Sequence, residues 1–269
     1  MIETFKEILR DHFHFRRQLL KLAKSDLIKQ YRGAAFGWAW AVIKPAIRIM
    51  VYWFAFDIGL RVGKPINGRP YFLWLICGYI PWFYMQEDLN RGATSIRSYK
   101  YLVKSIKFPI STIPTFVSLS NLSVSFILQL IMIVLFWLFG FPPTKYYLEI
   151  PLFILMMFVF FTAWGLFSGM LSAISRDFQN LVRSVVPALF WLSGIIYDVN
   201  QMPSPTLRKI LLFNPITICA NGYRNAMVHG VWFWETPVEM RNYCIVTLIM
   251  ILLAVWTYRK LKKDIPDVL

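Results

Sequence analysis

Lys44 and Arg48 stand four residues apart inside an apolar stretch, so on a helix they share one face, about 6 Å apart along the axis. Trp40 and Tyr52 continue the same i, i+4 row. Two cations between two aromatic rings suit an anionic phosphate that carries a sugar. The charges draw the phosphate and the rings stack on the sugar face. A cation deep in a bilayer is costly enough that it faces a cavity or a partner. In a competing reading the span starts later and both side chains reach back to the lipid headgroups. Spacing alone leaves these two readings open.

Chemistry of other kinds is poorly supplied. The 14 acidic residues are scattered, and the one adjacent pair is Glu87-Asp88. Of the three histidines, His12 and His14 sit near the start of the chain. Group transfer on phosphates needs clustered carboxylates, a metal site or an activated nucleophile, and no H-E-x-x-H or G-x-S-x-G occurs. The nearest approach to a phosphate-cradling loop, GLRVGKP at 59–65, is one residue short and ends in proline. This argues against an enzyme and against a nucleotide site in this chain. Cys77, Cys219 and Cys244 form no C-x-x-C and read as small apolar residues.

The elements that hold such a row must live in lipid. Of 269 residues, 57% are hydrophobic and 17% aromatic, and only 16% are charged. The mean hydropathy is +0.51. Soluble domains carry about 25% charged residues, so a water-soluble globule or a disordered chain is excluded. The net charge of +15 then faces anionic headgroups and cytoplasm, with no nucleic acid required. Runs long enough to span are read at 36–60, 71–89, 110–139, 149–175, 184–197 and 243–258. An even number puts both termini on one side. Segments on that side hold 19 Lys and Arg against 8 on the other, which predicts cytoplasmic termini.

Three further segments carry pattern. Over 4–30, Phe5, Ile8, Leu9, Leu19, Leu20, Ala23 and Leu27 recur at helical spacing, predicting an amphipathic helix that lies in the inner interface or packs on the protein itself. After the second span, Leu102, Val103 and Ile106 share a helical face, and Arg97, Lys100, Lys104 and Lys107 surround it. Such a short helix docks into a partner's groove or touches lipid only. Between the last two spans, apolar pieces 207–213 and 216–220, broken by prolines, are too short to cross and predict re-entrant helices; an ordinary outer loop is the alternative. The fold class is an all-α integral membrane protein. It is one domain over 1–269, with an interfacial helix within 1–35, a six-span bundle over 36–258 and a cytoplasmic tail over 259–269.

Several segments in this order resemble the permease subunits of ABC exporters for lipid-linked polysaccharides and teichoic acids. They are KQYRGAAFGWAW at 29–40 with Lys44-Pro45; Asn90 and LVKSIKFP at 102–109 with Ile113-Pro114; SRD at 175–177; FWLS at 190–193 with Ile196-Tyr197; FNP at 213–215; and GYR at 222–224. The family often has Gln where this chain has Lys44, and Pro where it has Gly194. The resemblance is greatest to teichoic acid permeases. It implies a bacterial plasma-membrane transport subunit and not an enzyme. It also implies no cofactor in this chain, with ATP and Mg²⁺ bound by separate ATP-binding cassette subunits. Two such subunits would join two copies of this permease. The partners implied are therefore those subunits, a second copy of itself, membrane lipid and a lipid-linked polymer.

On that reading the diphosphate is drawn by Arg32, Lys44 and Arg48. The sugars are guided by Trp38, Trp40, Tyr52, Trp53, Phe190, Trp191 and Tyr197, and the 96–107 helix takes the push of the ATPase. Two rivals remain: a permease for a drug or small lipid, and a polyprenyl-phosphate transferase, which the missing carboxylate cluster disfavours.

Overall fold

The computed structural model describes residues 1–60, 65–104 and 108–269. The described residues are helical apart from turns and a single β-bridge between Ile66 and Arg69. Helices α1 (Ile2–His14) and α2 (Arg16–Tyr31) come first, then α3 (Trp40–Trp53), which runs on through a π-helical turn at Phe54–Gly59. Next are α4 (Tyr71–Ser98), the short α5 (Lys100–Val103), α6 (Ile113–Leu138), α7 (Ile150–Ile174) and α8 (Arg176–Leu192). The chain closes with α9 (Pro205–Leu211), α10 (Pro215–Arg224), α11 (Pro237–Leu261) and α12 (Ile265–Val268).

Among the described residues, three helical stretches are long and apolar enough to cross a membrane: Ile110–Leu138, Lys145–Ile174 and Pro237–Leu261. Neither α6 nor α7 contains a charged residue, and each carries proline in its first turn, where a missing N–H costs nothing. The other three expected spans are of a different kind. The α3 helix has 14 residues and holds both Lys44 and Arg48. In α8, 17 residues begin at Arg176 immediately after Ser175, so the stretch expected to be a loop at 176–183 is helix. The 28 residues of α4 continue past the boundary expected at 89 and include Glu87, Asp88, Arg91 and Arg97.

Glu87 is exposed, and the other three charges do not end α4 because each finds a partner inside the protein. Asp88 is buried, and its two oxygens accept from Ser118 Oγ and Asn121 Nδ2 of α6, both at 2.5 Å. Ser118 is also bonded to Tyr84 at 2.7 Å. Arg91 donates to Asn121 and forms an ion pair with Asp26 of α2 at 2.7 Å. Tyr99 and Gln30 also donate to Asp26. Arg97 donates to the carbonyls of Ser172 (3.0 Å) and Ala173 (2.8 Å), capping the last turn of α7. The backbones of α4 and α7 approach so closely at Gly92 and Gly165 that a Cβ on Gly92 would lie 3.0 Å from the Gly165 Cα.

The N-terminal region is two helices and not one, broken at Phe15. Leu19, Ala23 and Asp26 face the bundle, so α2 packs on the protein itself. On α1, Ile8 is buried whereas Ile2, Phe5, Leu9 and Phe13 are exposed. Glu7 pairs with Lys262 at 2.7 Å, which puts the two termini at one end of the molecule.

At the other end α8 stops at a sharp turn. Gly194 has φ +66°, and a Cβ there would lie 2.2 Å from Val199 Cγ2. The freed carbonyls of Gly194 and Ile195 accept from Arg224 of α10, at 2.7 and 2.5 Å. The guanidinium of Arg224, 2% exposed, lies 3.5 Å from the centroid of Trp74. Every residue of α10 from Ile216 to Arg224 is buried, packed against α4, α7 and α11. By contrast α9 has no buried residue.

Two predictions follow from these contacts. Burial opposes ionisation of the Asp26 carboxyl, but the Arg91 charge and hydrogen bonds from Ser120, Tyr99 and Arg91 outweigh it and hold its pKa below the ordinary value. A depressed carboxylate contributes stability above its unfolded pKa of about 3.9 and loses it as pH falls through the folded value. Amide exchange of α2, corrected for intrinsic rate, is therefore flat at neutral pH and accelerates only below about pH 4. The Asp26→Asn variant accelerates it at neutral pH by the loss of about 3 kcal/mol. Separately, Arg224→Met leaves two buried carbonyls without donors and lowers stability by about 3 kcal/mol, read as a fall in the thermal unfolding midpoint in detergent. An unchanged midpoint would contradict the capping role.

Candidate functional site

Two adjoining hollows lie along the same side of α3. The first, of about 260 Å³, is walled by the end of α2, α3, α4 and α6, with Trp40, Lys44 and Arg48 on one wall and Glu87, Arg91 and Asn121 on the other. Lys44 and Arg48 are exposed to it, and neither forms an ion pair among the described residues. The Lys44 ammonium lies 5.9 Å from the Trp40 ring centroid. Arg48 donates to Gln86 Oε1 at 3.3 Å and lies 6.0 Å from the Phe83 ring. Arg91 differs, since Asp26 and Asn121 already occupy its donors. Among the described residues, the cleft thus offers two cations with no neutralising contact, facing the single carboxylate of Glu87.

The second hollow, of about 350 Å³, lies between α3, α4 and α8 and shares Arg48 with the first. Its lining is aromatic. The Tyr52 ring is 5.0 Å from Phe190, 6.4 Å from Trp191 and 5.3 Å from Tyr79, and Trp82 is 5.7 Å from Phe190. Val182, Val186 and Phe190 form a buried i, i+4 row on α8, which sets Phe190 inward and leaves Trp191 exposed. A cationic cleft running into an aromatic groove can take an anionic group followed by sugar rings. Among the described residues no three of His, Cys, Asp and Glu are grouped to hold a metal ion.

Of the residues the sequence singles out, Trp40, Lys44, Arg48, Tyr52, Phe190 and Trp191 are brought to these hollows. The other four are not. Arg32 lies in a separate basic patch with Lys21, Lys24 and Lys29. Trp38 stacks on Tyr31 at 5.1 Å, and Trp53 packs on Phe72 and donates to Asp57 at 2.8 Å. Tyr197 lies in the turn after α8, packed against the core. Sequence reasoning missed Tyr79, Trp82, Phe83 and Gln86 of α4, although their i, i+3, i+4, i+7 spacing is a helical row.

The expected 96–107 helix is also redrawn. Arg97 belongs to the last turn of α4 and donates to the α7 carbonyls of Ser172 and Ala173. Lys100, Leu102 and Val103 form α5, with Lys104 at its end. Val103 is buried and Lys100 and Lys104 are exposed. Ile106 and Lys107 lie outside the described residues, as do Arg61 and Lys64 of the GLRVGKP stretch.

Comparison with known proteins bears on what this arrangement is for. The family model described as ABC-2 type transporter matches residues 17–228. An O-antigen export system permease protein RfbA of Myxococcus xanthus is 26% identical over 219 residues, covering 81% of this chain and 82% of its own. A protein of the same name from Klebsiella pneumoniae is 24% identical over 256 residues, covering 93% and 94%. Both names point to polysaccharide export and neither to teichoic acid. The matched residues take in both hollows and the Arg224 cap, and the chain belongs to the ABC-2 type transporter family of integral membrane permeases.

Proposed function

We propose that this chain is the membrane-spanning subunit of an ATP-driven exporter that carries a polyprenyl-diphosphate-linked polysaccharide from the inner to the outer face of the bacterial plasma membrane. The carrying observation is the pair of unneutralised cations, Lys44 and Arg48, at the mouth of the Tyr52–Phe190–Trp191 groove. The diphosphate sits against the cations and the first sugars against the rings. Two copies of the chain work with two ATP-binding cassette subunits, which hold the ATP and Mg²⁺. The push arrives through α5 and the residues that follow it. In this reading α3 with its π turn, α4, α6, α7, α8 and α11 all cross the bilayer, the termini are cytoplasmic, and α9 and α10 form a re-entrant pair. The relatives' names favour an O-antigen-type glycan over teichoic acid or capsule.

One observation favours the rival cargo, a drug or small lipid. An apolar cavity of about 410 Å³ lies between α7, α8 and the turn before α10, lined by residues such as Phe160, Trp164, Val182 and Ile216. Such a cavity accepts a hydrocarbon and offers nothing to a diphosphate.

The two cargoes separate in one experiment. Lys44→Gln and Arg48→Gln together, in proteoliposomes containing the ATPase subunit, reduce export of a polyprenyl-diphosphate glycan by about tenfold or more, because charge-assisted contacts to the diphosphate are lost. Assembly with the ATPase is unchanged. Undiminished export by the double variant would remove the pair from the cargo path.

A further inference from the structure

At the end of the bundle away from the paired termini, a recess of about 620 Å³ opens beside the start of α11. Its walls come from four places: the bridged turn with Asn67, the turn with Asp198 and Asn200, the π turn with Asn225 and His229, and the first turn of α11 with Glu239. Among the described residues that line it there is no lysine or arginine, and Arg208 of α9 reaches its edge, donating to the Asn200 carbonyl at 3.4 Å. Asp198 Oδ1 accepts from the Asn200 backbone N–H at 2.9 Å, and Asn67 Nδ2 is bonded to His229 Nδ1 at 2.9 Å.

Glu239 is the informative member. It is 7% exposed, and its Oε1 accepts from Asn221 Nδ2 at 3.2 Å. Its second oxygen, Oε2, is buried and has no hydrogen-bond partner among the described residues. A buried acceptor left without a donor is costly, so a ligand that brings hydroxyl groups gains by filling it. The segment that supplies Val231 and Thr236 to the same wall also carries Trp232 and Trp234, stacked at 4.5 Å and 14°. Trp234 is exposed, and Trp232 packs on Tyr146 at 4.9 Å.

We propose that this recess is a carbohydrate subsite that takes a neutral or amino sugar residue. Carboxylate and amide oxygens accept from vicinal hydroxyls, and amide and imidazole N–H groups return hydrogen bonds. The carboxylates of Asp198 and Glu239 in the lining disfavour phosphate and uronic acids. Tyr71 donates to the Ile196 carbonyl near this end of α4, whereas Gln86 lies beside Arg48. The fifteen residue steps from Tyr71 to Gln86 span about 22 Å. One chain thus holds a cationic site for the charged linkage and, farther along, an acidic site for the uncharged polymer. The inference rests on the export reading only for the identity of the polymer that fills the recess.

The test is saturation-transfer NMR on the full chain in lipid nanodiscs, using chitobiose and a mannose disaccharide as neutral probes and glucuronic acid as the anionic one. The neutral sugars bind at about millimolar Kd, as for a small open site, and glucuronic acid does not. Glu239→Gln and, at an exposed position with less risk to folding, Asn200→Ala each weaken binding about tenfold. The Lys44→Gln/Arg48→Gln variant binds the neutral sugars as the wild type does. Absence of binding by either neutral sugar, a preference for glucuronic acid, or binding indifferent to both Glu239→Gln and Asn200→Ala overturns the inference. The readout is equilibrium binding, so export that fails while sugars bind sinks only the cargo reading. Export that proceeds while sugars do not bind sinks only the subsite.

Discussion

A polar group inside an apolar bundle must find its partner within the protein, and α4 is where this chain meets that requirement. At one end Trp74 lies against Arg224, whose guanidinium closes the two carbonyls released where α8 stops. At the other end Asp88 and Arg91 are matched by Ser118 and Asn121 of α6 and by Asp26 of α2. Arg97 completes the set by capping α7. These contacts tie α2, α6, α7, α8 and α10 to one helix. A frame so tied holds its outer elements at fixed offsets, which is what a path between them needs.

Lys44 and Arg48, exposed on α3, depart from that pattern. The fold supplies Arg91 with a carboxylate and Arg224 with two carbonyls and an indole face. It supplies Arg48 with one amide oxygen at 3.3 Å and Lys44 with a distant ring. Polar satisfaction therefore separates the cations that build the protein from the cations left over for something else. The leftover pair opens directly onto the Tyr52, Tyr79, Phe190 and Trp191 rings, so charge and stacking surface are continuous. An anion alone would not need the rings, and an apolar drug would not need the cations.

Much of this was readable from the residues, for identifiable reasons. The α6 and α7 segments are uncharged runs, and composition alone finds them. The i, i+4 row from Trp40 to Tyr52 holds in the structure because α3 stays helical through Pro45. What was not readable depends on partners distant in sequence. Asp88, Arg91 and Arg97 look like the edge of a span until Ser118, Asn121, Asp26 and the α7 carbonyls are known to face them. Trp38 and Trp53 lie outside the two hollows because they pack on Tyr31 and Phe72, neighbours the sequence does not reveal. The aromatic row of α4 was hidden because the whole helix is rich in apolar residues, and only its juxtaposition with Tyr52 and Phe190 gives it a role. The recess beside Glu239 could not be seen at all, since four separate turns compose it.

The most direct test of the central claim is site-specific photo-crosslinking during export. A photoreactive side chain at Val51, in the wall of the aromatic groove, is compared with one at Leu248, on the exposed face of α11. In proteoliposomes with the ATPase subunit and a radiolabelled polyprenyl-diphosphate glycan, the account predicts an ATP-dependent adduct to the glycan portion from position 51 and none from position 248. Export that continues with no glycan adduct at position 51, or with equal adducts at both positions, would contradict it.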